Sequence, residues 1–180
     1  GLGTVALIKD NVDGLTDSID FAIIAEPSAA FTESVHPNIC LGAKGGYNYT
    51  IKLHGKASHA AIPDLGINAV DDAAEVIRRL RDISPVTDEH LGKSLQCVIS
   101  VKGGGNACSV PDYAEIEVFR HCVRGESINS IYNEVEKAIK QAGIKSKWEI
   151  VFRQALSNEF DGGFVPFCTD PENECLKTLI

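Results

Sequence analysis

From Tyr47 the chain alternates strictly, with Tyr47, Tyr49, Ile51 and Leu53 apolar and Asn48, Thr50, Lys52 and His54 between them. A period of two is that of a strand with one buried and one wet face. Past Asn68 the period lengthens: Val70, Ala73, Ala74, Ile77 and Leu80 recur at helical spacing opposite Asp71, Glu75, Arg78, Arg79 and Asp82, and Asn68 can cap the helix. The glycine and proline signals of "DISPVTDEHLG" end it. Strands follow at 95–101 and 113–123, and their pairing across "KGGGNACSVPD" is expected to make a hairpin. Ser127 opens a second helix with Ile128, Ile131, Val135, Ala138 and Ala142 inward, Glu136 and Lys140 paired outside, and Gly143 as its stop. "KWEIVF" is the last strand. The order strand, helix, strand, strand, helix, strand predicts a ferredoxin-like unit, a four-stranded antiparallel sheet with two helices on one face.

The flanks read differently. "GTVALIKDN" predicts a short helix. The unbroken apolar run from Phe21 to Ala25, closed by Glu26 and Pro27, predicts a strand buried on both faces, as in a helix-covered parallel sheet. Glu26 then sits at the carboxyl end of that strand, the edge where open α/β sheets bind ligands. After the unit, "SNEFDGGFVPFCTD" reads as loop and "PENECLKTLI" as a helix with Pro171 in its first turn. The expected class is α/β (α+β): residues 44–155 form a ferredoxin-like domain, and 1–43 and 156–180 are partial segments of an α/β domain. The absence of methionine and the abrupt opening on "GLGTVALIK" predict a piece of a longer protein.

Composition narrows the function. The 180 residues are 44% hydrophobic and 23% charged, which is enough to bury a core. A net charge of −8 disfavours polyanionic partners, and the sheet lacks the paired aromatic motif of RNA-binding versions, so neither nucleic acid nor membrane is expected as a partner. No apolar run approaches the roughly 20 residues of a membrane-spanning helix. None of the six cysteines forms a C-x-x-C pair, and four lie in apolar or strand-like stretches; reduced thiols and a cytoplasmic setting are expected. Small-molecule chemistry is the default.

"IIAEPS", then "GKASHAAIPDLGINAV", then "GG" before a "VPD" strand, then an "RGES" turn, in this order, resemble the zinc-dependent aminoacylase and carboxypeptidase family that includes acetylornithine deacetylase and succinyl-diaminopimelate desuccinylase. The likeness covers nearly the whole chain. It is most specific around His59, where Gly55, Pro63, Gly66 and Asn68 stand at fixed offsets. The resemblance implies a catalytic α/β domain holding one or two zinc ions, with an inserted ferredoxin-like lid through which two copies form a homodimer. Glu26 would be the carboxylate ligand of one zinc, a hard oxygen donor suited to it. His59 would be the lid histidine that enters the partner subunit's active site and steadies the oxyanion of the tetrahedral intermediate. The small residues beside it allow entry into a cleft, and Pro63 stiffens the turn. Without this pattern His59 would read as an ordinary solvated loop histidine, as His36, His54 and His90 do.

Two departures bear on substrate recognition. Cys108 stands where the family has asparagine, and Asn106 is the candidate to serve instead. The family's aspartate-x-arginine appears as Phe119-Arg120-His121. Strand parity puts Arg120 on the face of Ala114, Ile116 and Val118, and His121 on that of Glu115, Glu117 and Phe119. His121 is therefore expected to face the cleft and take the substrate carboxylate, unless a bulge lets Arg120 reach it. The family's upstream histidine and bridging aspartate, its glutamate pair and its final histidine have no counterpart in this chain. The implied function is a zinc amidohydrolase or exopeptidase acting on an N-acyl amino acid or peptide-like amide, with this piece inactive alone. The alternative is a non-catalytic ferredoxin-like module for dimerisation or small-ligand sensing.

Overall fold

In chain order the elements are α1 (Leu2–Lys9), β1 (Gly42–Ala43), β2 (Gly45–His54), α2 (Ala69–Leu80), β3 (Thr87–Asp88), β4 (Gly92–Lys93), β5 (Leu95–Gly103), β6 (Tyr113–Cys122), α3 (Ile128–Ala142), β7 (Lys147–Phe152), β8 (Gly163–Phe164), β9 (Phe167–Cys168) and α4 (Glu174–Lys177). This computed structural model describes residues 2–17, 19, 22, 23, 39–153 and 163–178. The chain divides into two units, Gly42–Cys168 and Gly1–Leu41 with Thr169–Ile180.

In the larger unit the alternation along β2 buries Tyr47, Tyr49, Ile51 and Leu53, and that along β6 buries Ala114, Ile116, Val118 and Cys122. These two strands pair antiparallel from Gly45↔Cys122 to His54↔Tyr113 and form the centre of a sheet ordered β5-β6-β2-β7, with β8 added at Gly46 and Tyr47. All pairings in it are antiparallel. The order and connections are those of the ferredoxin-like split βαβ unit. Ile131, Val135, Ala138 and Ile139 of α3 close the core against one face of the sheet, together with the inner face of α2. The other face carries Asn48, Thr50, Lys52, Glu115, Glu117, Phe119 and His121, opposite the side on which α2 and α3 pack.

Caps act where the sequence puts them. Asn68 Oδ1 accepts from the amides of Val70 (3.0 Å) and Asp71 (3.3 Å). Ser127 and Ser130 form a reciprocal capping box, and Gly143 ends α3 with φ 64°. The α2 stripe is rotated from the expected one. Ala69, Ala73, Val76 and Leu80 are buried, whereas Val70 is 37% exposed and Ala74 is exposed too. Two apolar stripes lie side by side on this helix. At the start of the helix the Ala69 amide donates to Pro111 O (2.9 Å).

Other differences have local causes. "DISPVTDEHLG" holds the hairpin β3–β4, in which Asp88 Oδ1 accepts from the amides of His90 and Leu91, both at 2.9 Å. Strands β8 and β9 occupy part of the expected loop after β7. Helix α4 begins after Asn173, whose Oδ1 accepts from the Cys175 amide; Pro171 lies in the preceding turn. Of the run 21–25, Ala22 and Ile23 are described and belong to no strand; the rest of it, with Glu26, lies outside the described residues. Cys122 is the one fully buried cysteine, Cys168 is intermediate and the other four are exposed.

Candidate functional site

His59 sits in a loop closed at its base by a two-way backbone pair: the Lys56 amide donates to Ile67 O (3.0 Å) and the Ile67 amide to Lys56 O (2.8 Å). A β-carbon at Gly55 would lie 2.2 Å from Ile67 O, and one at Gly66 would lie 2.8 Å from Lys56 O, so two glycines are the condition of this closure. Within the loop the Ile62 amide donates to His59 O (2.9 Å), and Pro63 starts a single 3-10 turn. The His59 ring is exposed. The Ala61 amide donates to its Nδ1 at 3.1 Å, a contact that requires Nδ1 to carry a lone pair. A neutral imidazole held this way bears its proton on Nε2, which makes no hydrogen bond among the described residues.

The hairpin loop between β5 and β6 braces this turn. His59 and Ser109 form an isolated antiparallel bridge, the Ala60 amide donates to Cys108 O (2.9 Å), and the Val110 amide donates to Ser58 O (2.8 Å). Cys108 holds the left-handed conformation at φ 68°, which asparagine adopts more readily than cysteine. Asn106 is exposed, and its carbonyl accepts from the amide (3.1 Å) and Oγ (2.9 Å) of Ser109. The structure thus joins His59 to the loop that carries Asn106. Ser109, which had no role in the sequence reading, and Ala61, read there only as one of the small residues beside His59, hold the assembly through their backbone groups and, for Ser109, through Oγ as well.

Arg120 and His121 lie at the other end of the sheet, where His121 pairs with Gly46 on one side and Leu95 on the other. Arg120 is 2% exposed: its Nε and Nη2 donate to Glu126 Oε1 (3.1 and 2.5 Å) and Nη2 also donates to Glu134 Oε2 (3.3 Å). Glu126 Oε2 in turn accepts from the Val123 amide. The bulge in this region is in β5, between Val98 and Ser100, and the register of β6 against β2 is unbroken at Arg120. His121 is exposed on the face opposite α2 and α3, its ring 4.6 Å from that of Phe119. From Tyr113, beside the His59 loop, to His121 runs about 26 Å of strand at roughly 3.3 Å per residue.

Among the described residues no three His, Cys, Asp or Glu side chains come together as metal ligands, and no helix is long and apolar enough to cross a membrane. The described residues therefore do not fit a zinc centre by themselves.

Residues 41–147 match the family M20_dimer, described as Peptidase dimerisation domain. The chain is similar to a succinyl-diaminopimelate desuccinylase of Orientia tsutsugamushi (36% identical over 141 residues, 78% of this chain and 29% of that protein). An acetylornithine deacetylase of Photorhabdus laumondii is 41% identical over 71 residues, 39% of this chain and 17% of its own. The chain thus spans less than a third of the length of these relatives. Among solved structures, a tripeptidase from Staphylococcus aureus superposes with a TM-score of 0.59 at 20% identity, covering 76% of this chain and 34% of its own. An M20 family metallo-carboxypeptidase from Sulfolobus solfataricus gives 0.54 at 15% identity, covering 78% of this chain and 42% of its own. These two likenesses concern the fold. The family match takes in more than half of the chain, and the chain belongs to the M20 peptidase family through its dimerisation domain.

Proposed function

We propose that the complete protein is a homodimeric zinc-dependent amidohydrolase or exopeptidase cleaving an N-acyl amino acid or peptide-like amide, and that this chain is its lid with catalytic-domain flanks at 1–43 and 156–180. The observation that carries the reading is the His59 loop, a braced turn of small residues on a dimerisation domain, with an exposed imidazole whose Nδ1 is already engaged by Ala61. His59 donates Nε2–H to the oxyanion of the partner's substrate, and Asn106, on the loop fastened to it, contacts the same substrate. His121 binds the substrate carboxylate. Arg120 is unsuited to that task, because Glu126 and Glu134 already occupy its guanidinium. Glu26 supplies one carboxylate to zinc, and the remaining ligands come from parts of the protein outside this chain. When bound, zinc acidifies water and polarises the amide carbonyl. Six cysteines without a disulfide suit a cytoplasmic setting.

His59 and His121 stand too far apart along one sheet to touch one small substrate. They meet only when each comes from a different copy. In the complete enzyme, assayed on N-acetyl amino acids, His59→Ala lowers kcat roughly 100-fold or more with zinc content unchanged; a change under about threefold refutes the role. His121→Gln raises KM for carboxylate-bearing substrates. Assayed with substrate well below KM, where both variants are slow, mixed dimers of the two contain one intact composite site and recover up to about a quarter of normal activity. No recovery would show that both histidines serve from the same copy.

A further inference from the structure

We propose that Phe119 is the positioning residue of His121, and that residue 46 is glycine so that Phe119 can take that place. The inference rests on the reading of His121 as the carboxylate-binding group and adds what holds it in place. In the register of β2 against β6, Phe119 faces Asn48 and His121 faces Gly46. The Phe119 ring nevertheless leans diagonally over Gly46: a β-carbon there would fall 2.6 Å from Phe119 Cζ and 3.2 Å from Cε1. In that position the ring meets the His121 imidazole edge to face, with centroids 4.6 Å apart and planes at 64°. This is the geometry aromatic pairs prefer, a ring edge directed at a π face.

The arrangement has a consequence for binding. An imidazole at the exposed end of a strand loses rotamer freedom when it grips a carboxylate, and that loss weakens binding. Packed against Phe119, with Leu95 opposite on β5, His121 has given up that freedom before the ligand arrives. Phe119 does not itself touch the carboxylate. Its effect therefore falls on KM rather than on kcat.

The test is a double-mutant cycle in the complete enzyme on an N-acetyl amino acid that it turns over. Phe119→Leu, which keeps an apolar side chain, raises KM about three- to tenfold with kcat within about twofold. Gly46→Ala, which displaces the ring, behaves like Phe119→Leu. The double variant with His121→Gln has a KM no higher than His121→Gln alone. In the NMR spectrum of the 180-residue chain, the His121 ring protons show a ring-current shift that Phe119→Leu abolishes. If His121→Gln raises KM while Phe119→Leu leaves it unchanged, or if the two effects multiply, the positioning role is overturned and the role of His121 stands. If His121→Gln itself leaves KM unchanged, the carboxylate reading falls and this inference with it.

Discussion

Arg120 is the residue whose environment governs the stability of the sheet's far end. Its side chain and that of Glu126 are 2% and 3% exposed, and Glu134 adds a second carboxylate at 34% exposure. Burial raises the pKa of Glu134, the Arg120 charge opposes that rise, and Glu126 adds to it. Removing one partner of a buried ion pair leaves an uncompensated charge, at a cost of about 3–5 kcal/mol. Arg120→Ala is expected to destabilise the domain by that amount in urea unfolding, with the largest loss of amide protection around β6 and the start of α3. Parity made half of this legible: Arg120 shares a face with Ala114, Ile116 and Val118. That the core would hold a cation was not legible, because its carboxylates arrive from the following turn and from α3. The same parity placed His121 on the open face beside Phe119, yet sequence spacing carries no sign that the two rings touch.

At the scale of elements, strands and helix caps followed from period and cap chemistry, and short pairings did not. The β3–β4 hairpin has two-residue strands with no apolar alternation, and it is held instead by Asp88. That carboxylate is 5% exposed, accepts from Arg124 Nε (2.7 Å) and Nη2 (3.0 Å), and caps the backbone of His90 and Leu91. The Arg124 hydrogen bond, followed by the Leu91 amide, holds its pKa well below the usual carboxylate range. A depressed carboxyl pKa adds stability above the unfolded value of about 3.9, and that contribution disappears as pH falls towards the folded value. Asp88→Asn should therefore lower Tm by a constant amount above about pH 5, and the gap from wild type should close as pH drops below about 4. Thermal melts of both proteins across that range check the sign.

The whole molecule brings His59 and Asn106 together at one end of a sheet and sets His121 at the other. Under the proposed function, a substrate touching both would take them from two copies, with the metal held largely by residues outside this chain. The 180-residue chain supplied with zinc should show no measurable hydrolysis of N-acetyl amino acids. Turnover at even about 1% of a typical median kcat near 10 per second would overturn the composite reading.

The ferredoxin-like order, the caps at Asn68 and Ser127, the buried face of β2 and the histidine loop were determined by the sequence alone. Each depends on residues a few positions apart, where backbone geometry converts spacing directly into a face or a cap. Tertiary structure alone decided which of two adjacent apolar stripes α2 buries, the sequestering of Arg120, the bracing of His59 by Ser109 and Cys108, and the contact of Phe119 with His121 over Gly46. Those outcomes depend on which surfaces meet once strands and helices dock, and that is settled by the summed packing of residues distant along the chain.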